Sequence, residues 1–300
     1  MKRWVKWIGY GAAGLVVLVL VAACALFGFS EARYRKQYAV TPATIRITAD
    51  SAAIARGNHL VHSSAGCIDC HGENLGGGTV IDQPPLGRIF ATNLTRGKGG
   101  AGTLTDAQYV LAIRHGIAPN GTPLKIMPSS DYANFSDEDL AAVIAYVKSV
   151  PAVDKELPAN SVGPLGRALF MAGQLPFLHA ERVDHERKHL AAVPPAATAG
   201  YGAYLAGFGC KGCHGPALAG GKIVDGPPDW PPAANLTPSG PTKDWTEADF
   251  TRLLREGKRP NGIPVNQAMP WRFTRNMTDD EIHALYLYMK SLPSQTTVSS

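Results

Sequence analysis

Three hundred residues with an apolar share of 45% are enough for about two ordinary domains with buried cores and a further segment. The formal net charge of +5 is modest. No basic block accompanies it, which argues against a nucleic-acid-binding chain.

Lys2, Arg3 and Lys6 precede an uncharged run from Trp7 to Phe29. At 1.5 Å per residue that run makes a helix of roughly 34 Å, enough to cross a bilayer core. Trp4, Trp7 and Tyr10 gather at one end, as interfacial aromatics do. Residues 1–30 therefore read as a transmembrane anchor. The competing reading is a cleaved secretory signal, and Val21-Ala22-Ala23-Cys24 also resembles a lipoprotein processing site that would leave a lipidated Cys24. Against processing, the apolar run continues five residues beyond Cys24. Residues 31–49 read as a tether.

The first compact unit spans residues 50–158 and contains Cys67-Ile68-Asp69-Cys70-His71. In C-x-x-C-H the two thiols are spaced to form thioethers with the vinyl groups of a haem, and the adjacent histidine can reach the iron. The pattern recurs as Cys210-Lys211-Gly212-Cys213-His214 in a second unit, residues 198–300. A structural zinc is disfavoured because the pairs lie 143 positions apart. A thioredoxin-like redox pair would want a βαβ context, and neither site follows a β-branched run. Two covalently bound haem c groups are expected. With four cysteines used there and Cys24 in an apolar segment, no disulfide framework is left to propose.

The two units are copies. Leu75-Gly76-Gly77-Gly78 matches Leu218-Ala219-Gly220-Gly221, and Pro84-Pro85 matches Pro227-Pro228. Asn93-Leu94-Thr95 matches Asn235-Leu236-Thr237, Pro119-Asn120-Gly121 matches Pro260-Asn261-Gly262, and Met127-Pro128 matches Met269-Pro270. Within each copy Thr105 and Thr246 start a helix close to a capping box, with Leu104 and Trp245 placed as hydrophobic staples on Tyr109 and Phe250. Gly116 and Gly257 stop those helices. A final helix starts at Ser136 or Thr278, the latter boxed by Glu281, and ends at Pro151 or Pro293. Leu140, Val143, Ile144 and Val147 fall at helical spacing and read as core. Sustained alternation is lacking, so the expected class is all-α with slight β structure.

Met127 and Met269 are the methionines that repeat, 56 and 55 positions after His71 and His214. A lone methionine is usually core filler; a repeated Met-Pro beside a haem motif reads as an axial ligand. The expected metal ligands are thus His71, Met127, His214 and Met269. Such ligation favours ferrous iron and fills the sixth position, leaving no room for substrate. Asn93 and Asn235 could donate to propionates or be turn residues. His59, His62, His115, His179, His185, His189 and His283 read as surface residues rather than ligands, with His59 and His62 nearest a motif. Residues 159–197 form an interdomain linker with a helix around Leu165 to Ala172, a solvated charged stretch near Glu181 to Lys188, and a stiff Pro194-Pro195.

The arrangement resembles the class I cytochrome c fold, in which an N-terminal helix, the haem-attachment motif, a methionine loop and a crossing C-terminal helix follow in order. The expected architecture is two tandem cytochrome c domains behind an N-terminal transmembrane helix. Gly57 and Gly202 lie where that family lets terminal helices cross closely, and Tyr146 and Tyr288 occupy matching places on the last helices. The resemblance also implies a backbone carbonyl near Pro84 or Pro227 as acceptor for His71 or His214. Asn93-Leu94-Thr95, Ile113-Arg114-His115-Gly116 and Met127-Pro128 are similar to cytochrome subunits of membrane-bound alcohol and gluconate dehydrogenases, which carry three haem motifs where this chain has two. What the resemblance implies is a membrane-anchored periplasmic electron carrier at the inner membrane. Its donor would be a periplasmic dehydrogenase and its acceptor a quinone-linked complex, a soluble cytochrome or a terminal oxidase. The alternatives are a di-haem enzyme of peroxidase or thiosulfate dehydrogenase type, which needs an open iron site, and the di-haem subunit of a haem-copper oxidase.

Overall fold

The computed structural model describes residues 2–175, 177–224, 226–227 and 230–297. Helix α1 (Lys2–Tyr34) runs past residue 30, where the anchor was expected to end. The extension is held by side chains that find partners on the linker. Arg167 donates to Glu31 at 2.8 Å, Arg33 donates through Nε to Glu181 at 3.0 Å, and Tyr34 stacks on Phe170 with centroids 4.9 Å apart. The helix is long and apolar enough to cross a membrane, by length and composition.

Each repeat is built on two crossing helices. In the first, α2 (Ser51–His62) is capped by Asp50, which accepts from the Ala53 N–H at 2.8 Å, and buries Leu60 and Val61. It crosses α6 (Asp137–Ser149), capped by Ser136 and carrying Asp137, Glu138 and Asp139 in its first turn, where acidic groups suit the helix dipole. In the second, α8 (Ala199–Gly209) crosses α12 (Asp279–Ser291), whose Thr278–Glu281 capping box is formed. Glycine is required at both crossings. A Cβ on Gly57 would overlap the Ala142 carbonyl and lie 2.8 Å from the Tyr146 Cβ, and one on Gly202 would overlap the Ala284 carbonyl.

Between these helices lie the short haem-motif helices α3 (Ile68–His71) and α9 (Lys211–His214), and the boxed helices α4 (Asp106–Val110) and α10 (Glu247–Glu256). One-turn helices α5 (Ser129–Tyr132) and α11 (Trp271–Thr274) follow each Met-Pro. Helix α4 continues as a π-helical turn, Leu111–His115, before Gly116 stops it with φ 67°. Its counterpart α10 stays α-helical to Gly257, φ 65°.

The expectation of slight β structure holds in the second repeat and is exceeded in the first. Strands β1 (Gly78–Gln83) and β2 (Gly87–Ala91) form a hairpin, and β3 (Ser161–Val162) of the linker adds to β2. Among the described residues the matching stretch of the second repeat keeps one bridge, Gly221 to Ala233. Pro227, Pro231 and Pro232 lie there, and proline supplies no ladder N–H. Pro228, which the repeat pairs with Pro85, lies outside the described residues.

The linker contains α7 (Pro164–Met171), close to the helix expected there, and lies over the first domain. Its Leu190 and Ala191 carbonyls accept the first two N–H groups of α6 at 2.9 and 3.0 Å.

One hydrophobic core runs through both domains, with Phe135 and Phe208 rings 4.6 Å apart at the junction. Around it the repeats meet nearly symmetrically. His59 donates to Glu281 at 2.8 Å, and its counterpart Tyr204 donates to Asp139 at 2.7 Å. Arg56 grips Asp139 with two bonds of 2.8 and 3.0 Å and reaches Glu281 at 3.5 Å. Burial works against the Glu281 carboxylate, but the hydrogen bond and charge of His59 hold its pKa below the ordinary value.

Candidate haem-binding sites

Both C-x-x-C-H segments form one helical turn, so the two thiols and the imidazole project from a short, fixed piece of backbone. The turn is closed in the same way in each copy. Gly77 donates to the His71 carbonyl at 2.8 Å and Gly220 to the His214 carbonyl at 2.9 Å. Leu75 and Leu218 both adopt φ 56°, a left-handed conformation costly for leucine. Both leucines are fully buried, so the two copies place the same side chain in the core through the same strained turn.

His71 donates from Nδ1 to the Thr92 carbonyl at 2.8 Å, and His214 from Nδ1 to the Ala234 carbonyl at 2.8 Å. This fixes the tautomer with Nε2 unprotonated and available as a ligand. Burial lowers both imidazole pKa values despite these bonds, which keeps the ligating form neutral. The acceptors are not the carbonyls near Pro84 and Pro227. In the first repeat that proline sits at the hairpin tip, and the chain must return along β2 before a carbonyl reaches the histidine.

The four motif cysteines are partly exposed and form no disulfide with one another. Burial pushes Cys67 up to about 12, Cys70 to about 11 and Cys210 to about 12. Raised values are the opposite of the lowered pKa of a redox-active dithiol. Among the described residues no group of three or more His, Cys, Asp or Glu could hold a metal ion, so the two pairs do not converge on a zinc site.

Met127 and Met269 are half-buried against the core, each on the loop before a one-turn helix. Their surroundings repeat, with Pro128 at ψ 54° and Pro270 at ψ 56°. The donor set is therefore duplicated: two thiols, one imidazole with a free Nε2 and one thioether per domain. These residues fit a covalently attached haem.

The asparagines have another task. Asn93 donates to the Val153 and Lys155 carbonyls at 2.7 and 3.3 Å, and Asn235 donates to the Gln295 carbonyl at 2.7 Å and to Thr297 Oγ1 at 3.3 Å. Both also accept from the Thr two positions on, so each clasps the chain after the last helix and has no N–H left for a propionate. Nor are all the other histidines on the surface. His115 is buried beneath the linker, where its Nδ1 lies 3.0 Å from the His185 Nδ1, and His179, on the linker itself, is buried against the first domain with Ser130 at 2.8 Å. The sequence carried no sign of this, since a linker's docking site depends on surfaces made by distant segments.

A family model described as Cytochrome c matches residues 54–151 and 197–293. The cytochrome c subunit of a quinone alcohol dehydrogenase of Gluconacetobacter polyoxogenes is 29% identical over 283 residues, covering 82% of this chain and 57% of that protein. The gluconate 2-dehydrogenase cytochrome c subunit of Pantoea cypripedii is 29% identical over 272 residues, covering 81% and 60%, and the fructose dehydrogenase cytochrome subunit of Gluconobacter japonicus is 29% identical over 280 residues, covering 81% and 53%. The chain thus spans a little over half the length of these relatives. Two motif turns with anchored histidines, two methionine loops and two matched regions lead to one conclusion: the chain belongs to the cytochrome c family, with two tandem domains of that fold.

Proposed function

We propose that the protein is a membrane-anchored, periplasmic di-haem cytochrome c that passes single electrons from a periplasmic dehydrogenase toward the respiratory chain. The carrying observation is the duplicated donor set, with His71 and His214 each tethered through Nδ1. When bound, each haem supplies a one-electron ferric–ferrous couple. Cys67, Cys70, Cys210 and Cys213 would hold the two groups covalently, with His71 and Met127 or His214 and Met269 on the irons.

The carbonyl acceptors orient each imidazole and raise its basicity. The methionine loops would fill the remaining iron position in both domains, which favours a carrier over an enzyme that must admit substrate. The residue before each motif packs on the other domain: a Cβ on Gly66 would lie 2.7 Å from the Phe273 ring, and one on Gly209 would lie 3.0 Å from the Ser64 carbonyl. Both attachment segments therefore border the interdomain junction, which suits passage of an electron between domains. The similarity to cytochrome subunits of alcohol, gluconate and fructose dehydrogenases supports a dehydrogenase as donor. The packing of Glu31, Arg33 and Tyr34 on the linker supports a retained helix at the membrane.

The test is intact mass and haem content of the purified chain. Native protein is expected to carry two haems, and Cys67→Ser/Cys70→Ser or Cys210→Ser/Cys213→Ser to carry one each. Native protein with one haem or none refutes the reading.

A further inference from the structure

The two methionine loops share a backbone and differ in what lies over them. In the first domain the loop is covered by the chain itself. Tyr38 donates its N–H to the Gly121 carbonyl at 3.0 Å, and a Cβ on Gly121 would sit 2.6 Å from Gln37 Oε1. Ile126 donates to the Phe177 carbonyl at 2.7 Å, and Ser130 pairs with His179 at 2.8 Å. Ile117 is 1% exposed and Ala133 5%.

At the corresponding positions of the second domain no segment intervenes among the described residues. A Cβ on Gly262, the counterpart of Gly121, meets nothing within 4 Å. Ala268, the counterpart of Ile126, donates to Asn266 Oδ1 within its own turn at 2.9 Å. The side chains change accordingly. Ile117, Ala118, Ser130 and Ala133 correspond to Lys258, Arg259, Arg272 and Arg275, all four exposed.

Between residues 255 and 275 the sequence holds five basic residues, Arg255, Lys258, Arg259, Arg272 and Arg275, against one acid, Glu256. Arg255 is engaged by Asp279 at 2.6 Å and Lys258 by Glu256 at 3.2 Å. Among the described residues Arg259, Arg272 and Arg275 have no ion-pair partner. A solvated face needs no such excess of one sign, and the same backbone in the first domain shows that the fold does not need it either.

We propose that the open methionine-loop face of the second domain is the docking surface for a redox protein with an acidic patch, and that the first domain's equivalent face is closed to external partners by the tether and linker. Unpaired guanidinium groups around a methionine loop would steer an acidic surface to this domain and hold it transiently, since exposed charges act mainly on encounter rate and are screened by salt. The inference rests on the electron-carrier reading for the partner's redox character, but docking itself can be read without electron transfer.

The test uses the full haem-loaded chain in phosphatidylcholine nanodiscs, immobilised for biolayer interferometry, with oxidised flavodoxin as the acidic redox-protein probe. Native protein is expected to bind it with an affinity that falls steeply with salt. Arg259→Glu/Arg272→Glu should weaken binding at least tenfold at low ionic strength. Arg88→Glu/Lys98→Glu, the same charge change on the first domain's surface, should stay within twofold of native. The proposal is overturned if native protein does not bind, if the two double variants weaken alike, or if native binding is lost in phosphatidylglycerol nanodiscs because lipid occupies the face. Loss of haem with binding retained would refute the electron-carrier reading and leave the docking face standing.

Discussion

Helix α8 contains its own control for the claim that glycine is needed where the terminal helices cross. Gly200 and Gly202 lie two positions apart on that helix. A Cβ at Gly200 would meet only Thr198 Oγ1, at 4.0 Å, whereas one at Gly202 would overlap the Ala284 carbonyl and lie 2.9 Å from the Leu285 nitrogen. Gly200→Ala is therefore expected to stabilise by about 0.5–1 kcal/mol, the ordinary gain of removing a helical glycine. Gly202→Ala gains the same propensity but must push two backbones apart, and overpacking of this kind costs about 1–3 kcal/mol. The obstacle is backbone and cannot rotate away, so the upper part of that range applies. The two variants should differ by about 2–3 kcal/mol. Urea denaturation of the purified full chain, followed by haem absorbance at unchanged m-value, measures this. Values within about 0.5 kcal/mol of each other would refute the crossing argument.

Removing the guanidinium in Arg56→Met should leave Asp139 and Glu281 buried without their shared cation, costing roughly 3 kcal/mol; denaturation should split into two transitions, one per domain, and a single unchanged transition would contradict the interface. Asn93→Ala should cost about 2 kcal/mol by leaving the Thr95 N–H without its acceptor and the Val153 carbonyl with only the 3.3 Å bond from the Thr95 hydroxyl, with the haem spectrum unchanged because the clasp is structural; a shifted potential with unchanged stability would contradict that role. His115 is held neutral, its pKa lowered to about 4 by burial and then by His185, Arg114 and His189. A lowered folded pKa means that only the unfolded chain takes up the proton between about pH 6.5 and 4, so stability falls as pH drops through that window, by about 3 kcal/mol at most. His115→Gln should flatten that part of the native pH–stability curve, and parallel curves for the two proteins would count against it.

What could be read from the sequence was what depends on near neighbours or on spacing. The threonine caps, the Gly116 and Gly257 stops and the crossing glycines are all local or repeated, and all formed as expected. The histidine acceptors were placed too early because Thr92 and Ala234 reach the imidazoles only through the return path of a loop. The Asn93 clasp was open for a related reason: its partner Val153 lies 60 residues away. The hairpin of the first repeat was underweighted because its twin carries Pro227, Pro231 and Pro232, which supply no ladder N–H, and so gives the repeat no shared strand signal. The π-helical turn at Leu111–His115 has no composition signal; it accompanies the burial of Arg114 against Asp137 and Phe135 and of His115 against His185 of the linker.

The central claim is that each iron is held between a motif histidine and a repeated methionine. Carbon monoxide binding to the dithionite-reduced, purified protein tests it in the visible spectrum. Native protein should show no change, and Met127→Ala and Met269→Ala should each open one haem to the gas, with both open in the double variant. Ready binding by the native protein, or a methionine variant that stays closed, would contradict the account.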